Sequence, residues 1–338
     1  MKISQTSYIR KNNPHKILAL LVVLVLIVAA MSLCLGAEKI PMAQALGDLL
    51  AGRDTAAARI LCYVRVPRVC AGLLAGAALA ASGAVIQGVL ANSLAAPSTI
   101  GVNAGAGFAV ALFCAIAPGA LMAVPFAALA GAFGGAMLVL TIAQRTSASK
   151  ISLVLAGVAI SGIFSAGIDA IITFVPESLN GYSDFRIGGL SNVSLSQLRP
   201  AAILIVLALL VACSLHNELD LLMLGTEQAQ SLGLPARKMQ IVFLGLAAIL
   251  AGAAVSFAGL IGFVGLMVPH IMRQLVGETS GVLLVGSALG GALLLCGCDL
   301  LARLLFAPFE LPVGIAMALV GGPFFIWLLK KRGRCSND

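Results

Sequence analysis

Charge is what this chain has least of. Lys and Arg fill 21 and Asp and Glu 13 of its 338 positions, while 60% of residues are hydrophobic. Soluble domains carry charge at roughly a quarter of their positions, so a chain of this length is not read as two soluble domains. Catalytic motifs are lacking as well. None of the eight lysines follows a glycine and precedes Ser or Thr, so the chain has no P-loop for ATP. No Gly-x-Ser-x-Gly or His-Glu-x-x-His occurs, and His15, His216 and His270 lie far apart without a second ligand at metal spacing. No catalytic residue, metal or cofactor is expected. The net charge of +8 is scattered over short loops and termini without an aromatic-bearing soluble domain, which argues against a nucleic-acid partner. Most of the eight cysteines sit within or at the ends of apolar runs, where cysteine acts as a small hydrophobe, and Cys296-Gly-Cys298 lacks zinc or redox spacing.

What remains is long apolar runs. A spanning helix takes about 20 apolar residues. Ten segments qualify: 17–36, 69–91, 98–117, 120–143, 151–174, 199–214, 240–258, 260–275, 281–302 and 312–329. The expected fold is therefore all-α, a polytopic membrane protein of about ten transmembrane helices. It forms one transmembrane domain over 1–338, with a membrane part at 17–329 and cytoplasmic tails at 1–16 and 330–338. The first run is long for a signal peptide, and Ser32 to Gly36 does not resemble a cleavage site, so it counts as a span. Placing both termini in the cytoplasm of a plasma or inner membrane leaves 13 of the 21 basic residues inside, as the positive-inside rule asks. Arg65, Arg68 and Arg303 then fall at the outer mouth and need a reason.

Four regions break the pattern. Gly259 to Arg273 sets three evenly spaced glycines and Pro269-His270 into an apolar run, and a proline there frees carbonyls that neighbouring protein or a water-lined cavity must satisfy. Residues 214–239 divide at Gly225 into two short amphipathic pieces. Leu219, Leu222 and Met223 are expected on one face and Ala229 with Leu232 on another, before Gly233 and Pro235 end the second piece. Such a pair on the cytoplasmic side buries its apolar faces against the membrane domain or a partner, or lies on the lipid headgroups. The outer connections 37–68 and 175–198 are read as loops, the latter with a short helix near 184–196. Glycine steps such as Gly72 with Gly76, Gly131 with Gly135 and Gly286 with Gly290 are read as close helix packing. Asp169 is an acid inside the fifth span, and Asp299 and Arg303 stand at i, i+4.

A series of motifs carries a resemblance. They are Arg65-Val-Pro-Arg68; Gly76 to Gly83 with Gln87; Asn92-Ser-Leu-Ala-Ala-Pro97 leading to Gly101; Leu224-Gly-Thr-Glu-Gln-Ala-Gln-Ser-Leu-Gly233; Phe263-Val-Gly-Leu-Met-Val-Pro-His270 with Arg273; Asp299 with Arg303; Glu310-Leu-Pro-Val-Gly314; and Gly321-Gly-Pro-Phe-Phe325. In this order, from about 60 to 330, the chain resembles the FecCD family of iron-siderophore, haem and cobalamin importer permeases, the membrane subunits of type II ABC uptake systems.

The resemblance implies ten helices per subunit, a second permease subunit, identical or paralogous, two cytoplasmic ABC ATPase subunits and an extracytoplasmic substrate-binding protein. It implies that Leu224, Gly225, Glu227, Ala229, Leu232 and Gly233 form the ATPase-coupling loop, and that Arg65, Arg68 and Arg303 receive acidic residues of the binding protein. Gln87, Asn92, Pro97, Pro269 and His270 are the expected pathway or gate residues. Ser93 and Ala96 depart from the family's Asn-Pro-Leu-Ala-Asp-Pro pattern, and Phe185 and Gly189 from its usual Trp and Ser, which blurs the choice of ligand. The reading is a non-enzymatic importer permease for an iron chelate, with haem or cobalamin as the alternative. An ion-coupled transporter would instead centre on Asp169.

Overall fold

The computed structural model describes residues 13–36, 38, 41–146, 150–307 and 309–334. Most of the expected tails, with Lys2, Arg10 and Lys11 and with Cys335, and Lys39 of the outer connection lie outside the described residues. All regular structure among the described residues is helical: α1 (Pro14–Cys34), α2 (Met42–Leu50), α3 (Ala56–Ile60), α4 (Val66–Leu90), α5 (Val102–Ile116), α6 (Val124–Thr146), α7 (Lys150–Phe174), α8 (Ser178–Ile187), α9 (Leu195–Ser214), α10 (His216–Met223), α11 (Thr226–Ser231), α12 (Ala236–Ala258), α13 (Val264–Val276), α14 (Ser280–Leu305) and α15 (Val313–Arg334).

Among the described residues, seven helical stretches are long and apolar enough to cross a membrane: α1, α3 to α4 taken together, α6, α7, α9, α12 and α14. The remaining expected spans fall on α5, a short apolar helix, on α15 and on the amphipathic α13. With 13 residues, α13 is about 20 Å long against roughly 30 Å of hydrocarbon, so the expected span at 260–275 is a partial one. The cause is local. Gly259 has φ 70°, Gly262 lies outside the helices, and Phe263 caps α13 from the left-handed region, so the chain leaves α12 and restarts as α13 after five non-helical residues.

The expected loop at 37–68 is also corrected. Ala56 to Leu90 is one continuous helical run, and Arg65 and Arg68 sit inside it. Pro67 does not begin a helix after a loop. The turn before it, Leu61–Arg65, widens to π geometry, Val66 donates to the Leu61 carbonyl, and the helix passes the missing proline donor without a kinked start. In the second outer connection α8 starts at Ser178, earlier than expected, and Ser194 and Gln197 form a capping box that starts α9 at Leu195.

At the centre stands α4, whose hydrophobic window is 78% buried against 11% for α1. It packs on α14, α12, α13 and α9. Small residues make this possible. A Cβ on Gly76 would run into the Gly291 backbone of α14, and one on Gly83 into the Gly265 backbone of α13. The same holds between Gly105 and Gly131 of α5 and α6, whereas a Cβ on Gly72 meets ordinary contacts at 3.4–3.8 Å. Gly83→Ala is therefore expected to lower the detergent-solubilised chain's unfolding temperature strongly, an overpacking cost of about 1–3 kcal/mol or more, while Gly72→Ala stays close to the parent in the same scan.

Candidate functional site

The break between α12 and α13 is stitched to the end of α8, and the end of α8 to the start of α15. Gly189 donates to the Ala258 carbonyl at 2.9 Å, Leu260 to the Phe185 carbonyl at 2.9 Å, and Gly314 to the Gly188 carbonyl at 3.1 Å. Backbone that lost its helical partners at the break thus finds them on the C-terminus of α8, which the start of α15 joins in turn. Approach this close leaves no room for side chains: a Cβ at Gly188 would strike Leu260, one at Gly259 Phe185, and one at Gly314 Ile187.

Within α13, Pro269 has no N–H for the carbonyl of Gly265, four residues back. Gln87 of α4, 2% exposed, supplies the donor. Its Nε2 lies 3.2 Å from the Gly265 oxygen and 3.4 Å from that of Leu266, and Arg273 Nη1 donates to its Oε1. Pro97, in the short 3₁₀ turn after α4, is buried beside Gly265. Of the expected gate residues, Gln87, Pro97 and Pro269 therefore meet around Gly265. Asn92 sits apart in the exposed turn that ends α4, where its N–H closes on the Gln87 carbonyl and its Oδ1 accepts from Leu94. His270 faces Gln274 and Phe324 of α15.

At the same C-terminal end of α4, α10 fits a cradle. Leu219 and Leu222 are 2% exposed, and Leu219 and Met223 bear on Gly88. Asp220 Oδ1 accepts from the backbone of Ser280 at 2.9 Å, placing a carboxylate on the N-terminus of α14. This anchor was not read from the sequence, where Asp220 looks like one more polar residue of a loop. Gly225 takes φ 118°, ψ 155°, a region open essentially to glycine, and so separates α10 from α11. In α11 only Ala229 is buried. Leu232 follows the last helical residue and is 61% exposed, so the expected shared face of Ala229 and Leu232 does not form. Leu224, at 57%, and Glu227 are exposed as well.

At the opposite end, the three arginines expected at an open mouth are each 3–4% exposed. Arg68 forks onto Asp299 at 3.0–3.1 Å and pairs with Glu310; Arg303 reaches the same Asp299 at 3.1 Å and donates to Ser32. Arg65 donates to the carbonyls of Leu33, Cys34 and Glu38 at 2.7–2.8 Å. Two guanidinium groups thus cap the C-terminus of α1, and one carboxylate ties α4 to α14. The arginines have a reason inside the chain, and a docking partner would not reach them in this arrangement. Arg186 and Arg199, at the same end, are exposed.

A cavity of about 710 Å³ opens beside the α12–α13 break. It is lined by residues of α8 and the α12 end, among them Glu177, Asp184, Phe185 and Ser256. Asp169 is exposed on α7. Among the described residues no group of three or more His, Cys, Asp or Glu is placed to hold a metal ion.

A helical membrane bundle with a broken helix stitched at its centre and a mounted pair of short helices at one end has the architecture of a transport permease. The chain belongs to the FecCD transport family, whose model matches residues 22–331. It is 36% identical to the Fe(3+)-citrate import system permease protein YfmE of Bacillus subtilis, over 96% of this chain and 98% of that protein. It is 35% identical to the hemin transport system permease protein HmuU of Yersinia pestis, over 95% and 97%. It is 38% identical to the vitamin B12 import system permease protein BtuC of Citrobacter koseri, over 94% of each. A solved metal-chelate type ABC transporter in an inward-facing conformation superposes with a TM-score of 0.84 at 29% identity, covering 94% of this chain and 99% of that one. The fold is that of a type II ABC importer permease.

Asp299 carries the arginine network. Asp299→Asn leaves two buried guanidinium groups short of their carboxylate and is expected to cost about 3–5 kcal/mol in a reversible unfolding assay in detergent. Glu310→Gln, whose side chain is 39% exposed, is expected to cost clearly less.

Proposed function

We propose that this chain is the transmembrane permease subunit of an ATP-driven ABC importer that carries an iron chelate into the cytoplasm. Haem or cobalamin import by the same mechanism is the second reading, favoured by the likeness to the hemin and vitamin B12 permeases. The observation that carries the proposal is the mounting of α10 and α11. One face is locked to α4 and α14 through Leu219, Leu222 and Asp220, while Leu224, Glu227 and Leu232 are left outward. Exposed apolar residues on a rigid mount suit a partner's groove.

In this reading that partner is an ABC ATPase, one for each of two permease subunits, with both chain termini on its side of the cell membrane. Leu224, Gly225, Glu227, Ala229, Leu232 and Gly233 make the contact or shape it. Closure of the ATPase pair pushes α10. The push passes to the C-terminus of α4 and the N-terminus of α14, whose helices hold α13 and the pathway residues Gln87, Asn92, Pro97, Pro269 and His270. ATP supplies the bias between the two openings, because a cargo shifts the equilibrium only by its difference in affinity between them. The chain itself carries out no chemistry. Arg65, Arg68 and Arg303 hold the outer platform on which a substrate-binding protein docks, with exposed Arg186 and Arg199 as first contacts for its carboxylates.

Gentle solubilisation from native membranes is expected to bring down an ATP-hydrolysing subunit whose activity rises with an external binding protein; recovery of the chain alone would refute the reading. Gly225→Val forces a side chain into a glycine-only conformation and is expected to cut uptake per ATP hydrolysed about tenfold at unchanged permease level. Reversing Arg186 and Arg199 to Glu is expected to weaken binding-protein docking at low salt and less at high salt, since exposed charges are screened.

A further inference from the structure

We infer that Gln87 is the positioning residue that passes movement of α10 to the broken helix α13, by standing in for the hydrogen bond that Pro269 removes. The inference rests on the permease reading above and names one residue within it. Three observations converge on this side chain. First, the Gly265 carbonyl, which Pro269 orphans, lies 3.2 Å from Gln87 Nε2. The donor therefore comes from another helix, so α13 keeps its geometry only while α4 is in place. Second, the amide is oriented. A free glutamine could present either its oxygen or its nitrogen to Gly265, and a donated bond from Arg273 Nη1 to Oε1 sends the nitrogen inward. Arg273 belongs to the last turn of α13, so both ends of the contact are on the same helix, and Gln87 bridges the first turn to the last.

Third, the next residue is Gly88, the floor for α10: a Cβ there would press on Leu219 and Met223. Gln87 also accepts, through its own carbonyl, the N–H of Asn92 that closes the end of α4. A displacement of α10 thus acts on the one-turn segment of α4 that carries the bridging amide. Leu266 is followed four residues on by His270, which has an N–H to give, whereas Gly265 is followed by Pro269, so the Gly265 bond is the part of the contact that the helix itself cannot replace. A glutamine buried merely for packing would leave the proline-freed carbonyl to some other donor; here it is the donor.

The physical content is a swap that genetics can undo. Pro269→Ala returns an N–H to position 269 and lets α13 satisfy Gly265 by itself. The assay uses the assembled permease–ATPase complex in proteoliposomes, reading uptake per ATP hydrolysed at equal amounts of assembled complex. Gln87→Glu keeps size and the Arg273 contact, and so the fold, but loses the donor. It is expected to lower the coupling ratio about tenfold, the usual consequence of an unsatisfied buried polar group. In the Pro269→Ala background the same substitution is expected to cost threefold or less. Gln87→Met, which also releases Arg273, is expected to be rescued only in part. Wild-type coupling in Gln87→Glu, or an equal loss with and without Pro269, would overturn the inference. Absence of ATP-driven uptake in the parent complex would instead overturn the permease reading, so the two failures are distinct.

Discussion

Backbone-to-backbone contact along α4 is the constraint on which this fold depends. Gly76 lies against Gly291 of α14 and Gly83 against Gly265 of α13, distances that admit no side chain on either partner. Lipid offers helices no hydrophobic drive to associate, so close packing of small residues and a few internal polar bonds must hold the bundle. Because α4 touches α14, α12, α13 and α9, a change at either of its ends is felt by most of the protein. The mount for α10 and the buried arginine network are placed at those two ends.

The polar groups that remain inside are matched to defects in helices. Arg65 and Arg303 cap the end of α1, Asp220 sits on the start of α14, and Gln87 answers the carbonyl freed by Pro269. The α12–α13 break is answered by the end of α8, which α15 braces in turn. Each repair links two elements. A permease that alternates between openings needs such links, since they let a push on one short helix move a distant one without exposing bare backbone to lipid.

Much of this was legible in the sequence. Apolar runs gave most long spans to within a few residues, though the second, expected from 69, starts its helical run at Ala56, and the order of short motifs pointed to the family. The proline at 269 foretold that neighbouring protein would have to satisfy a carbonyl, though not that Gln87 would do so, since that pairing joins residues 178 positions apart. Other features were hidden for physical reasons. The break at 259–263 was hidden because Gly259 to Phe263 carries no charged residue and continues the apolar run of α12 into the short α13. Pro67 looked like a loop boundary because a π turn leaves no mark in composition. Leu232 fits the spacing of a buried face, yet α11 ends before it. The arginines at 65, 68 and 303 gave their charge but not their burial; the acid that holds two of them was visible only as an i, i+4 partner of one.

The energy source is the most direct test. The purified chain with its ATPase, reconstituted in proteoliposomes with a binding protein loaded with ferric chelate, is supplied either with ATP and no ion gradient or with a gradient and no ATP. Accumulation of labelled iron with ATP alone is the result this account predicts. Uptake that needs the gradient and is lost in Asp169→Asn would contradict it.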